Sequence, residues 1–192
     1  MKFAKFAALL LCIILFQEST VIAQSDNFGA QDTLFIDIEK VSEKIWLFHV
    51  SLTNDEDVEA LSVPLKMTAG LNRIVADSAV YVGGRVEKFA LKAFRPDTII
   101  QCVTLGMVAN LAPTNNILLK GSGRLVTVFV SSLENKPIEK LIVDTTTTHP
   151  NNSLMVVAGY SNWGDFKFDT ITVEQRKQLE IHPVVVIRQP KK

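Results

Sequence analysis

The sequence predicts an all-β protein, an antiparallel β-sandwich in one domain, and three observations support this class. Apolar and polar residues alternate with a period of two along most of the chain. Clusters of Gly, Pro, Asn and Asp separate these runs, as turns do. Apolar residues at helical spacing are scarce. Many short strands without helices between them are typical of sandwiches.

The first half of the chain carries the clearest alternation. In residues 45–53, Trp46 and Phe48 share one face, which we expect to be buried, while His49 lies on the other. The run 86–94 either continues the strand before it or forms a separate one. The strands predicted in this half are 34–38, 45–53, 58–67, 74–82 and 86–94.

Pro64 marks the third of these strands. Proline has no backbone N–H to donate to a neighbouring strand, so it is found at sheet edges and bulges. We therefore expect residues 58–67 to lie at an edge or to carry a bulge.

The second half has one run that is apolar on both faces, residues 123–130, which indicates a central strand covered on both sides. Before it, Gly121-Ser122-Gly123 is interpreted as a tight turn. Residues 173–179 suit a turn of helix, but their neighbours resemble strands. The remaining predicted strands are 99–105, 138–145, 154–158, 166–173 and 184–187.

The N-terminal residues have the pattern of a secretory signal peptide. Lys2 and Lys5 precede an apolar stretch at 7–16, and Val21-Ile22-Ala23 places small residues at a cleavage site. The stretch is shorter than the roughly 20 residues of a membrane-spanning helix. The predicted organisation is a signal peptide (1–23), a flexible leader (24–32), one domain (33–188) and a tail (189–192), which implies an exported, extracellular product.

The net charge argues against two classes of partner, and the cysteine content argues against a disulfide. Without residues 1–23 the net charge is about −1, since two of the 20 basic and one of the 20 acidic residues are lost. This balance points to neither nucleic acid nor an anionic membrane surface. Cys102 is then the one remaining cysteine, so no intrachain disulfide forms, and we expect a buried, inert thiol.

The segments WLFHVSLTN, EALSVPLKM and RIVADSAVYVG follow one another, with an acidic turn between the first two. This order resembles the opening of the cohesin-type domains. Ala60 and Leu61 stand where the family often has an Ala-Gly pair, and residues 74–78 fit a later segment. GSGRLVTVFVSSLENKPIEKLIVDTTT resembles a later pair of its strands. The resemblance covers residues 33–147.

The resemblance implies a jelly-roll sandwich of about nine strands, related to carbohydrate-binding modules of the same architecture. It also implies a non-catalytic binding module, because cohesins bind dockerin modules through one sheet face. No dockerin-contact residue is transferred to this chain, since those contacts form no short motif. A carbohydrate-binding module is the alternative function.

The acidic run Asn54-Asp55-Glu56-Asp57 has two interpretations. Clustered carboxylates suit calcium, but an EF-hand loop needs a central Gly and a closing Glu, and position twelve here is Leu65. The favoured interpretation is a turn that faces water. No metal ligand is assigned, and calcium bound with help from distant residues remains open.

The segment GYSNWGD at 159–165 is the best candidate for ligand binding. Tyr160 and Trp163 stand among Gly, Ser, Asn and Asp, and such a loop displays aromatic rings for stacking on a sugar or a protein partner. The competing interpretation is that Trp163 folds back onto the end of the sandwich.

No catalytic residue is predicted. His49, His149 and His182 are not at metal-ligand spacing, and the chain lacks both His-Glu-x-x-His and the Gly-x-Ser-x-Gly elbow of hydrolases. The sequence therefore predicts a binding protein rather than an enzyme.

Overall fold

A computed structural model describes residues 26–110, 116–146, 154–159 and 172–190 of the chain as two β-sheets that share one core. The elements in chain order are β1 (Thr33–Lys40), β2 (Ile45–Asn54), β3 (Val58–Thr68), β4 (Ile74–Val80), β5 (Leu91–Asp97), β6 (Cys102–Val108), β7 (Gly121–Ser132), β8 (Ile142–Thr145), β9 (Met155–Ala158), α1 (Val173–Gln178), β10 (Glu180–Ile181) and β11 (Val184–Arg188).

The two sheets have the strand orders of a sandwich. The first sheet runs β11-β1-β2-β7-β4, and the second runs β10-β9-β3-β6-β5, with β8 also paired to β3. Among the described strands every pair is antiparallel except β1 with β11, which are parallel from Thr33↔Val184 to Asp37↔Arg188. The predicted all-β, jelly-roll sandwich is confirmed. Two short strands, β8 and β10, bring the number of strands in the described residues to eleven, where about nine were expected.

The core lies between the sheets, and the alternation in the sequence builds it. Trp46 and Phe48 on β2 are buried as predicted, and the Trp46 indole Nε1 donates to the Ile138 carbonyl at 3.0 Å. Leu125, Val126, Val128 and Val130 of β7 are also buried, and β7 lies between β2 and β4. The prediction of a central strand at 123–130 is therefore confirmed.

Of the two alternatives expected for residues 58–67, the edge strand is wrong, because β3 lies in the middle of its sheet, whereas a bulge is present. On one side it pairs with β6, where Pro64 is opposite Thr104. On the other side, β9 pairs with β3 as far as Ser62, and β8 pairs with it from Leu65 onward. Pro64 therefore falls in the gap between these two partner strands. The missing N–H is tolerated at this break. The strand does carry a register shift, but at Val58/Ala60.

The strand predicted at 86–94 is wrong in its first half. Glu87 N donates to Gly84 O at 3.1 Å and Phe89 N to Val86 O at 3.0 Å, the spacing of turns. Val86 and Phe89 are nevertheless buried, so a loop supplies core side chains at alternating positions and imitates a strand. The strand itself is β5, Leu91–Asp97.

The helix α1 forms where the sequence favoured strands on either side. Thr172 caps it: its side chain accepts from the Gln175 backbone N–H, and the Gln175 side chain accepts from the Thr172 N–H, which is a capping box. The predicted strand at 166–173 lies mostly outside the described residues. Among the residues described, no helix has the length and apolar character needed to cross a bilayer.

Candidate functional site

Four carboxylates meet beside the loop that connects the two sheets. Asp55 and Glu56 belong to the β2–β3 loop, and Asp26 and Asp32 come from the segment before β1. Strand pairing brings them together: Thr33 pairs with Thr53, so Asp32 falls beside the end of β2. One oxygen from each of the four side chains lies within 4.8 Å of the others. We call these residues the carboxylate cluster.

Two members of the carboxylate cluster are buried without compensation. Asp32 is 1% and Glu56 6% exposed, and as carboxylates neither has a hydrogen-bond donor among the described residues. Burial and the negative charge of Asp26 raise the pKa of Asp32 to about 7. Burial, together with the hydrogen bond that neutral Glu56 donates to Asp55, raises the pKa of Glu56 to about 9. The cluster thus holds more negative charge than its surroundings stabilise.

The other two members, exposed Asp55 and half-buried Asp26, are held by backbone amides. Asp55 Oδ2 accepts from Ala30 N at 2.8 Å, which is the main reason that the pKa of Asp55 is lowered. Asp26 Oδ1 accepts from Phe28 N at 2.9 Å. A β-carbon on Gly29 would lie 2.2 Å from Asp55 Oδ2, so the chain needs glycine there for this close approach. The segment before β1 is thereby fitted to the β2–β3 loop.

Arg85 lies near the cluster but binds other groups. Its Nη1 donates to Leu52 O at 3.0 Å, Asn54 Oδ1 at 2.8 Å and Gly121 O at 3.1 Å, and its Nη2 donates to Leu119 O. Asn54 Nδ2 in turn donates to the Glu56 carbonyl at 2.6 Å. The guanidinium therefore shapes the loop through Asn54. Within the described residues, no member of the cluster forms an ion pair.

These contacts correct the interpretation of residues 54–57 as a turn that faces water. Asn54 and Glu56 are buried, while Asp55 is exposed. Sequence reasoning missed Asp26 and Asp32 because their segment has no periodicity. The signal that was available is the pairing of 34–38 with 45–53, which places the residue before the first strand beside Asn54. Gly121-Ser122-Gly123, expected to be a turn, is the start of β7.

The aromatic candidates Tyr160 and Trp163 lie outside the described residues, as do His149 and Asn151. The last described residue before them is Gly159, whose N–H donates to the Asp57 carbonyl at 2.7 Å. The chain therefore enters the segment 160–171 at the same loop that carries Asp55 and Glu56. The interpretation of Tyr160 and Trp163 as ligand-binding residues stays a prediction.

The outer face of the second sheet is uncharged at its centre. Alternation along β3, β5, β6 and β9 points one set of side chains away from the core. We call this set the small-residue face, and it comprises Ala60, Ser62, Pro64, Leu91, Ala93, Thr104, Gly106, Val108, Met155 and Val157. Its four central positions carry the smallest side chains, so a partner would meet an even surface. Charged residues, Lys66 and Arg95 among them, lie at its margin.

The outer face of the first sheet is more polar, and its polar groups are paired. The Thr127 hydroxyl contacts His49 Nδ1 at 2.8 Å, and Glu39 lies 3.8 Å from the other ring nitrogen. Arg188 lies 4.1 Å from the centre of the Phe35 ring and 3.3 Å from Asp37. These groups are occupied with one another, so this face is less suited to a partner.

The other chemical candidates have structural surroundings. Cys102 is a free, buried thiol as predicted, close to the Ile100 carbonyl and the Thr146 hydroxyl. His182 Nδ1 contacts the Leu154 carbonyl at 3.1 Å and links the segment before β11 to β9. Among the described residues, neither His49 nor His182 joins the carboxylate cluster.

Comparison with sequences identifies no relative: no protein-family profile matches the chain, and no curated protein matches it significantly. Comparison with solved structures finds many. A cohesin from a type I cohesin–dockerin complex of Clostridium thermocellum is 5% identical, with a TM-score of 0.53 over 87% of this chain and 99% of that one. The seventh type I cohesin of scaffoldin B from Pseudobacteroides cellulosolvens is 9% identical, with a TM-score of 0.52 over 84% and 94%.

A third solved structure adds a bound partner. The sixth cohesin of scaffoldin B from Acetivibrio cellulolyticus, solved with a dockerin, is 7% identical, with a TM-score of 0.51 over 82% of this chain and 99% of that one. At such identities the likeness concerns architecture, and it extends over nearly the whole length of each cohesin. The two sheets, their strand order and these matches lead to one conclusion: the chain has a cohesin-type fold.

Proposed function

We propose that this protein is an exported, non-catalytic module that binds a dockerin-like protein through the small-residue face. The observation that carries the proposal is the composition of that face, which has uncharged side chains across four strands and small ones at its centre. Cores of protein interfaces are depleted in charge and packed closely. The cohesins of similar architecture that were solved with dockerins support the choice of partner.

The geometry of the face suits a helical partner. Ala60, Ser62, Ala93 and Gly106 leave no protruding side chain at the centre, so the backbone of a partner helix approaches the sheet closely. Val108 and Val157 flank this centre and offer apolar contact on either side. The charged margin, with Lys66 and Arg95, supplies polar contacts of the kind that surround an interface core. Export rests on the signal-peptide pattern of residues 1–23.

Ser62→Arg should abolish partner binding without unfolding the protein. Ser62 lies on the outer face of β3 between Gly106 and Met155, so the new side chain projects to solvent in the free protein. In a complex it would bury an unpaired charge, and we expect affinity to fall about 100-fold or more. The measurement is titration calorimetry against dockerin modules from the same organism, with circular dichroism to verify folding.

Ser131→Arg is the matched control. Ser131 lies on the outer face of β7 in the other sheet, also on a central strand, opposite Ile45 and Val75. We expect its affinity to equal that of the wild type. Binding that survives Ser62→Arg but not Ser131→Arg would move the interface to the first sheet, and the absence of binding to every dockerin tested would contradict the proposed partner.

Carbohydrate binding through Tyr160 and Trp163 is the alternative function that the sequence suggests. Stacking of sugar rings on exposed aromatic side chains would retard the protein in gels that contain polysaccharide. We expect Trp163→Ala to remove that retardation if the alternative holds, and Trp46→Phe, a change of the buried tryptophan, to leave it intact. Migration that no polysaccharide alters would exclude this function.

A further inference from the structure

The proposed binding at the small-residue face does not explain the negative charge of the carboxylate cluster. When all four are ionised, Asp26, Asp32, Asp55 and Glu56 carry four negative charges, and one oxygen from each lies within 4.8 Å of the others. Such repulsion in a partly buried site is strongly unfavourable unless it is compensated. The four residues come from two segments that are distant in sequence. A simple turn between β2 and β3 would not require carboxylates from two distant segments to meet.

The burial of two members shows that the cluster is more than an exposed acidic patch. Asp32 is 99% and Glu56 94% buried, and both are directed into the cluster. In the ionised state their four carboxylate oxygens have no hydrogen-bond donor among the described residues, and neither has Asp26 Oδ2, which makes five oxygens in all. Buried polar groups in native proteins are almost always satisfied. Unsatisfied oxygens in a site where four carboxylates lie this close together indicate that a positive species compensates them.

Nearby basic side chains do not supply that charge. Arg85 directs its guanidinium to Asn54 and to the carbonyls of Leu52 and Gly121. The Lys120 side chain forms no ion pair with the cluster within the described part of the chain. Two species are left that could compensate the charge, namely protons shared between the carboxyl groups and a bound cation.

The donor set favours a cation, and calcium in particular. The set is all oxygen, with no nitrogen or sulfur ligand among its four members, which is the preference of hard divalent ions. Ca²⁺ takes six to eight oxygens at about 2.3–2.6 Å, so two ligands on opposite sides of it are about 4.8 Å apart. The spacing of the cluster fits this limit. Four carboxylates, each able to bind through one or both oxygens, supply enough oxygens for such a shell together with water.

We propose that Asp26, Asp32, Asp55 and Glu56 bind one Ca²⁺ that joins the segment before β1 to the β2–β3 loop. The amides of Phe28 and Ala30 orient Asp26 and Asp55, and Gly29 allows the approach. Asp32 and Glu56 supply the inner ligands. No residue of this site belongs to the small-residue face, so the calcium proposal and the proposed partner can be tested separately.

The test is a titration of the purified protein, stripped with EDTA, with CaCl2 alone. We expect calorimetry to show one Ca²⁺ per chain, with Kd at or below about 1 mM, the range of extracellular calcium modules. At about 100 times Kd the melting temperature should rise by about 5 °C or more. MgCl2 at the same concentration should produce a much smaller rise, because Mg²⁺ demands strict octahedral geometry and gives up water reluctantly.

Variants distinguish a cation site from a proton-sharing cluster. Asp32→Asn and Glu56→Gln keep the shape and remove charge, and both should lose the calcium-dependent rise in melting temperature. Asp55→Asn changes an exposed ligand, so it folds in any case, and it should weaken calcium binding about tenfold or more. Asp77→Asn, at an exposed position on the edge strand β4, should bind as the wild type does.

Two results would overturn the inference. A wild-type protein whose melting temperature does not respond to CaCl2, together with an Asp32→Asn variant that is more stable than wild type in EDTA, would identify shared protons as the compensation. A calcium response that persists in Asp32→Asn and Asp55→Asn would place any calcium elsewhere on the protein.

Discussion

Phe48→Ala should lower the free energy of unfolding by about 3–5 kcal/mol, the loss typical of a large side chain removed from a packed core. Phe48 is fully buried at the middle of β2, the strand that lies between β1 and β7 in the first sheet. The neighbouring sheet cannot collapse onto the vacated volume without moving its own strands. Urea denaturation followed by fluorescence measures the loss. We expect the slope of the unfolding free energy against urea concentration to stay unchanged.

Phe35→Ala is the control for this prediction. Phe35 lies on β1 in the same sheet but points outward, where Arg188 covers its ring at 4.1 Å. We expect a loss of about 1 kcal/mol from the stacking and partial burial. Equal losses at the two positions would contradict the assignment of the core to the Phe48 side of β2.

Arg85→Ala should cost about 2–4 kcal/mol, because the guanidinium satisfies several acceptors at once. Its removal takes a donor from the Leu52 carbonyl and from Asn54 Oδ1 and frees the loop that carries Glu56. The stem of Arg85 also packs on Gly123, where a β-carbon would lie 3.1 Å from Arg85 Cδ. The measurement is again the free energy of unfolding in urea.

Arg124→Ala separates the effect of position from the effect of charge. Arg124 has one long hydrogen bond, from Nη2 to the Val82 carbonyl at 3.5 Å, on the exposed side of the molecule. We expect its loss to change stability by no more than about 0.5 kcal/mol. If the two variants lost the same stability, net charge rather than the hydrogen bonds of Arg85 would explain the effect.

Period-two alternation predicted the strands that lie flat between core and solvent. For β2 it identified both the strand and its buried face, since Trp46 and Phe48 point inward and His49 outward. Alternation failed at 86–94 because Val86 and Phe89 reach the core from a turn. Burial of a side chain and extension of its backbone usually go together in a sandwich, but local sequence does not guarantee it.

Pro64 and the carboxylate cluster show what lies beyond local sequence. The proline rule describes hydrogen bonds to a single neighbour strand, whereas β3 changes neighbours from β9 to β8 at this position. The carboxylate cluster depends on a contact between Asp32 and the far end of β2, which only strand register specifies. Residues 54–57 alone lack the ligands of a cation site, so local motif matching correctly rejects an EF-hand and still misses the site.

The parallel pairing of β1 with β11 has a consequence for how the protein folds. Thr33 pairs with Val184, so the strand on the outer side of β1 in the first sheet is the last of the described strands in chain order. Contacts between residues so far apart in sequence form slowly, because a long loop must close first. Until residue 188 has emerged, β1 presents an unpaired edge that is open to other strands. A chain that has not yet completed β11 is therefore exposed to aggregation through the edge of β1.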